Sequence, residues 1–407
     1  MLVGVGYSEV PDTMLAGRLA AQDAMREAPA GPGGSGEKQR PDLLLLFSTA
    51  SHAAEELRAA VRTVTGESVP VIGGGASGAI SNERFGYAGD QVILAAFWLE
   101  EADYKLAYQT GLDVDEEEAG RALGRKLAQS GVTDESPVLL FYDAIDPSGG
   151  GRIVAATHLL SGLSQGLGFL PDLVGAGLQG DYAATPTSQW AGDEIVERGA
   201  LALSFFGAVR MDHVIMHGCR PATGYYTVTK SDGRTILEIN GQPALDFLDS
   251  LLGGSIKPEA YPFFLLLGIN KGDKWGGFNE KSYINHLTFG IDLERRGLVM
   301  FEPDMVAGTE FQIMYRSLDL DYMAPRIEKL FSGLEGRKPV FALYINCAGR
   351  AAGYGGMDIE DALVVQRTVA GRSPLLGIYT GVEIASIEGD PRGLDWTGVF
   401  CLFSVPK

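Results

Sequence analysis

Asn346-Cys347-Ala348-Gly349-Arg350 stands directly at the end of an apolar run, Val340 to Ile345, that reads as a strand. A guanidinium placed there can clamp a carboxylate or phosphate through two parallel hydrogen bonds. Glu383, in Tyr379-Thr380-Gly381-Val382-Glu383, ends the next strand of the same unit. If the two strands are neighbours, Arg350 and Glu383 meet at one sheet edge. Together they would hold the carboxylate and the amine of an amino-acid-like ligand, with Asn346, Cys347 and Tyr379 alongside. The competing reading is a structural ion pair between them. Arg350 could also activate Cys347 as a thiolate, although no histidine lies near it in sequence to act as a base. No nucleophile elbow and no carboxylate pair for acid–base work stands out, so catalysis is the weaker expectation.

A second candidate lies in Met211 to Pro221, which holds His213, His217 and Cys219. On a helix the two histidines would share a face and could ligate a metal. The surrounding composition is strand-like, and Gly218 and Pro221 oppose a helix. Four residues of strand span roughly 13 Å, too far for two ligands at about 2 Å from one ion. Only His217 with Cys219 stays open, against partly buried structural histidines. Two glycine-rich turns, from Gly73 to Gly78 and from Gly175 to Gly180, fit G-x-G-x-x-G. Neither is followed by an amphipathic helix to receive a pyrophosphate, so the glycines read as tight turns and close backbone approach.

These residues are positioned by a repeat. Pro70-Val71-Ile72-Gly73, Pro171-Asp172-Leu173-Val174-Gly175 and Pro374-Leu375-Leu376-Gly377 each follow an apolar strand and a helix-like segment. Each precedes a glycine-rich turn and another apolar strand (Val92 to Phe97, Leu201 to Phe206, Val399 to Val405). Self-similarity of this kind marks repeated structural units. It places equivalent turns at strand ends, where α/β sheets leave ligand crevices. Gly175, Gly177 and Asp181 would then join the site from the second unit.

Leu43 to Phe47 and Val138 to Tyr142 read as strands buried on both faces. Helices are expected over 13–27 (with Leu15, Leu19 and Ala24 near one face), from Ala54 to the stop at Gly66, over 114–130 with Asp113 and Glu116 as its capping pair, and more loosely from Ile153 to Leu167. Ala28 to Pro41 reads as a mobile loop. After about residue 200 hairpins dominate, with a turn at Ser231-Asp232-Gly233, before a last unit with strands at 339–346, 374–379 and 397–405 and a helix over 358–370. The fold class is therefore α/β: two intimately packed modules, 1–220 and 221–407, whose mixed sheets are flanked by helices.

At 407 residues, with 45% hydrophobic and 21% charged residues, the composition is that of a globular protein. Apolar runs are far shorter than the roughly 20 residues that cross a bilayer, so membrane insertion is not expected. A formal net charge of -19 argues against nucleic acid. Three scattered cysteines and no secretory leader point to a reducing cytoplasm.

Several stretches resemble the FIST family, with its paired FIST N and FIST C modules. Ile72 to Ser81 is similar to the family's I-G-C-S-T-A-G-E-I-S turn, Leu173 to Asp181 to V-G-G-x-A-G-D, and Gly218-Cys219-Arg220-Pro221 with Val228-Thr229-Lys230 to G-W-R-P…V-T-K. Leu237 to Ala244 resembles L-x-L-D-G-K-P-A, and Ala307-Gly308-Thr309 resembles E-G-T. Cys347 to Arg350 resembles C-x-G-R, and Pro374 to Ala385 resembles P-L-x-G-F-Y-T-x-G-E-I-A. The resemblance runs through nearly the whole chain in order. Two departures stand out: the first turn lacks Cys-Ser-Thr and its acid, with Ala79 in the acid's place, and Val382 replaces the glycine before the last acid.

The resemblance implies a cytoplasmic sensory protein that binds a small ligand, amino acids or their derivatives being proposed for the family, and that acts on a separate signalling partner. It adds Arg220 to the candidate site residues. It implies no resident cofactor, with one alternative: haem, as in related nitric oxide sensors, held by His217, His213, His158 or His286. An enzyme using Cys347 or a metal at His217 is the further alternative. Ligand identity and oligomeric state are left open.

Overall fold

The computed structural model describes residues 1–29, 39–147, 152–317 and 319–407. Most of the expected loop from Ala28 to Pro41 lies outside the described residues. Three six-stranded sheets share one strand order. In the first, Leu2–Ser8, Val92–Trp98, Leu43–Ser48 and Val71–Gly75 lie side by side, the last two parallel. In the second the corresponding strands are Asp103–Thr110, Gly199–Phe206, Val138–Asp143 and Leu173–Leu178. In the third they are Arg210–Met216, Gly398–Pro406, Arg337–Cys347 and Leu375–Thr380.

Each sheet is completed by a hairpin from another unit. Ser188–Gly192 and Glu194–Glu197, from the second unit, add to the first sheet. Val382–Ile387 and Asp390–Leu394, from the third, add to the second. Gly78–Ile80 and Phe85–Tyr87, from the first, add to the third. The chain is thus three equivalent units, each lending a hairpin around a ring. The inner faces are apolar and meet in one core, where Phe97 lies 6.1 Å from Phe205 and Phe205 lies 5.5 Å from Phe403, centroid to centroid.

The repeated glycine has a steric cause. A Cβ on Gly73 would lie 1.9 Å from the Leu46 carbonyl oxygen, and one on Gly175 would lie 2.0 Å from that of Leu140. Those oxygens belong to the parallel neighbour, so strand pairing in the first two units requires glycine at this place.

Helices cover the outer faces, and two depart from expectation. The first, Thr13–Ala24, buries Ala16, Ala20, Ala21 and Ala24 and leaves Leu15 and Leu19 exposed. It lies so close to Leu2–Ser8 that a Cβ on Gly6 would strike the Ala20 carbonyl, so only its alanine face fits. The helix Glu116–Gln129 is capped by Asp115, whose carboxylate accepts from the Glu118 amide at 2.9 Å, rather than by Asp113. Its partner Ala156–Leu167 packs on it through Gly120 and Gly162, which explains the glycines that blur the helical pattern there. Two helices, Met323–Ser332 and the single turn Ala352–Gly355, were not anticipated.

Between the first strand of the third unit and that helix the chain makes an added β structure. Glu310–Arg316, Tyr226–Asp232, Thr235–Ile239, Gly297–Met300, Tyr283–Asp292 and Leu266–Asn270 pair in turn. A further pairing of Leu266–Asn270 with Glu310–Arg316 closes them into a ring. No described helix is long and apolar enough to cross a membrane.

Candidate functional site

The turn after Arg337–Cys347 carries Arg350 inward, leaving its side chain 5% exposed. Its acid is Asp361, at 2.9 Å from Nη2, and not Glu383. Nε donates to the Asn346 side-chain oxygen at 3.2 Å, Nη1 to the His217 carbonyl at 3.0 Å, and Nη2 also to the Tyr322 hydroxyl at 3.3 Å. Asn346 donates to Asp361 at 2.8 Å. Burial opposes the charge, but Tyr322 and Asp361 more than offset it and hold the guanidinium protonated.

Glu383 is wholly buried on the hairpin lent to the second sheet. It accepts from the Thr380 hydroxyl and the Thr397 amide, each at 3.2 Å. Burial and the nearby Asp395 push its carboxyl well above the usual range. The expected meeting of Arg350 and Glu383 is therefore corrected: Arg350 belongs to the third sheet, whereas Glu383 is carried to the second by the hairpin exchange.

Cys347 is buried beside Glu383, and burial and that acid raise its thiol pKa, the opposite of an activated thiolate. Tyr379 is buried and donates to Glu360 at 2.9 Å. Gly175 and Gly177 are strand residues in the second sheet. Asp181 closes its own turn, accepting from the amides of Ala183 and Thr185 and from the Thr185 hydroxyl. Arg220 is exposed.

Arg220 lines a cleft of about 330 Å³ with Gly218, Phe278, Glu280, Lys281, Asp319, Tyr322 and Arg326. Tyr322 links this cleft to the interior, because its hydroxyl meets Arg350 on the far side. Two of the cations behave differently from the third. Arg326 is held by Glu280, with Nη2 at 2.6 Å from Oε2. Glu280 also accepts from the His217 and Gly218 amides. Burial opposes its ionisation, but Arg326 and His217 overcome this and lower its pKa to about 2. Arg220 rests over the Phe278 ring at 5.4 Å. Among the described residues neither Arg220 nor Lys281 has an ion-pair partner, and neither does Asp319. The cleft thus offers two cations without an ion-pair partner and the Asp319 carboxylate, whose Oδ1 accepts from the Asp321 amide at 2.7 Å.

The histidines do not fit haem or a metal. His217 Nδ1 accepts from the Cys219 amide at 2.9 Å, and Nε2 faces the Glu280 carbonyl at 3.0 Å. Both ring nitrogens are thus engaged; burial lowers the His217 pKa to about 4, which keeps the ring neutral, and raises the Cys219 thiol to about 12, which opposes a thiolate ligand. His286 is enclosed between Asp304 at 3.3 Å and Asp395 at 3.8 Å. His158 bonds Glu116 at 2.8 Å, and His213 lies 3.6 Å from Asp172. His213 borders a partly apolar cleft with Val214, Pro325 and Leu330, its Nδ1 turned toward Asp172.

Sequence reading missed Lys281, Asp319, Tyr322 and Asp361. Asp361 had a signal, since Glu360-Asp361 opens the helix after the Arg350 turn and a buried first-turn acid invites an arginine. The helix at Met323 also had one, in the spacing of Met323, Ile327 and Leu330. Lys281, Asp319 and Tyr322 had none, because the cleft is assembled from three stretches far apart in sequence, 218–220, 278–281 and 317–326.

A ring of three α/β units bearing an added β structure, with a charged cleft against it, defines a ligand-binding protein of mixed α/β class. The chain belongs to the FIST family: the FIST N domain matches residues 42–242 and the FIST C domain residues 244–386. It is 25% identical over 409 residues to uncharacterized proteins of two Mycobacterium tuberculosis strains, covering 99% of this chain and 100% of theirs. An uncharacterized Mycobacterium bovis protein is 25% identical over 235 residues, 57% of this chain and 60% of that one. Among solved structures, a cyanuric acid hydrolase from A. caulinodans aligns over 100% of this chain and 99% of its own, with a TM-score of 0.36 and 10% identity. A chorismatase aligns over 93% and 96%, with a TM-score of 0.31 and 12% identity. Neither likeness bears on the chemistry of this chain. FIST domains form a sensory, ligand-binding family.

Proposed function

We propose that this protein is a cytoplasmic sensor of a zwitterionic, amino-acid-like metabolite, bound in the cleft of Arg220, Lys281 and Asp319, and that it signals to a separate protein. The observation that carries the reading is the placing of two cations and one carboxylate, none with an ion-pair partner among the described residues, in a single cleft. A ligand carboxylate would pair with Arg220 and Lys281, and its ammonium with Asp319. The volume is at the small end of ordinary ligand pockets, which run from about 300 Å³ upward. Gly218 and Arg220 come from the FIST N range and the remaining wall from the FIST C range, so binding would bridge the two. Arg350 acts from behind, by fixing Tyr322 at the cleft wall. The test is thermal-shift screening and calorimetry with amino acids. Stabilisation that is lost in Arg220→Gln and in Asp319→Asn supports the reading; no response to any amino acid overturns it.

A further inference from the structure

A second cleft, of about 290 Å³, adjoins the first and shares two of its residues, Lys281 and Arg326. Its wall is otherwise Arg210, Asp212, His213, Val214, Pro325, Lys329, Leu330 and Gly333. Its charges are mostly spent: Arg210 is bonded to Asp212 at 2.7 Å, and His213 faces Asp172. Arg326, tied to Glu280 and to the Ile215 carbonyl, forms the partition between the clefts. Lys329 is different, being exposed and without an ion-pair partner among the described residues. Val214, Pro325 and Leu330 supply apolar wall beside it.

We infer that the two clefts form one bipartite site, whose ligand is an amino-acid-like molecule carrying a second acidic group at the far end of a short aliphatic chain. This inference rests on the amino-acid reading of the first cleft and names the ligand class within it. The α-carboxylate faces Arg220, the chain crosses over Arg326 along the apolar wall, and the distal acid faces Lys329, with Lys281 reaching both. The charge pattern supports this. In a chain of net charge -19, three cations without an ion-pair partner among the described residues, Arg220, Lys281 and Lys329, border these two adjoining clefts. Such a locally positive groove in a negative molecule selects anions over neutral analogues.

Calorimetry at low ionic strength with three probes tests it: L-glutamate, its neutral amide L-glutamine, and glutarate, which lacks the amine. Glutamate is expected to bind at least about tenfold more tightly than glutamine, since one distal ion pair of about 1.4 kcal/mol gives that ratio. Lys329→Gln should erase the ratio while leaving glutamine binding unchanged. Equal affinities for glutamate and glutamine overturn the bipartite site and leave the amino-acid reading standing. Glutarate binding as well as glutamate overturns the amino-acid reading and keeps an anion site. Binding of none of the three overturns the bipartite site, and the amino-acid reading then falls only if the wider amino-acid screen is also silent. If Lys329→Gln weakens glutamate and glutamine equally, the distal role of Lys329 is refuted.

Discussion

Replacing Arg350 by alanine would strand the Asp361 carboxylate in the interior beside Asn346 and Tyr344. Removing one partner of a buried ion pair costs about 3–5 kcal/mol. Chemical denaturation should show a loss of that size, and a loss below about 1 kcal/mol would mean the pair is not the anchor described. Other interior acids set the pH response. Burial raises Asp143 to about 6 and Glu302 to about 7. Glu302 caps the helix Ala156–Leu167 through the Ala156 and Thr157 amides, each at 2.9 Å. A carboxyl with a raised folded-state pKa binds its proton more tightly when folded. Its contribution is therefore complete below the unfolded value, near 4, and is lost as pH rises through the folded one. Glu280 has the opposite sign: its contribution is present above that value and is lost as pH falls toward 2. Melting temperature should therefore fall between pH 4.5 and 7, and Glu302→Gln should flatten that slope. A slope unchanged in Glu302→Gln would remove Glu302 as a cause.

At the scale of elements, the repeated glycines separate two kinds of constraint. Gly175→Ala would press a methyl to within 2.0 Å of the Leu140 carbonyl, whereas the corresponding contact for Gly377 is 3.0 Å, to the Tyr344 carbonyl. Backbone cannot yield 1 Å without parting the strands. Soluble yield and melting temperature should drop sharply in Gly175→Ala and only modestly in Gly377→Ala; equal effects would refute the steric account. These glycines were legible in the sequence as a repeat, and so were most strands, because parallel strands buried on both faces read as unbroken apolar runs. The hairpin exchange was not legible. Gly78–Ile80 and Val382–Ile387 are short, and nothing local says whether a hairpin pairs with its own sheet or a neighbour's. That gap is why Arg350 was matched to Glu383: both turns follow strands of one unit, but only long-range pairing tells where each side chain ends. Leu15 and Leu19 misled for a related reason, since apolar spacing cannot reveal that glycines on the facing strand demand alanine.

On the scale of the whole molecule, the ring of lent hairpins ties the two halves of the chain together. Residues 1–220 hold the hairpin that completes the third sheet, and residues 221–407 hold the one that completes the second. Expressed separately, each half should be unfolded by circular dichroism and hydrogen exchange, and co-expression should recover a single cooperative transition. Independent folding of either half would contradict that dependence.

The three units are alike, but the added β structure interrupts one of them, and the charged groove lies where it meets that unit. A scaffold with three matching seams therefore has a singular mouth. Ligand titrations should saturate at one equivalent per chain, with a hyperbolic rather than stepped isotherm.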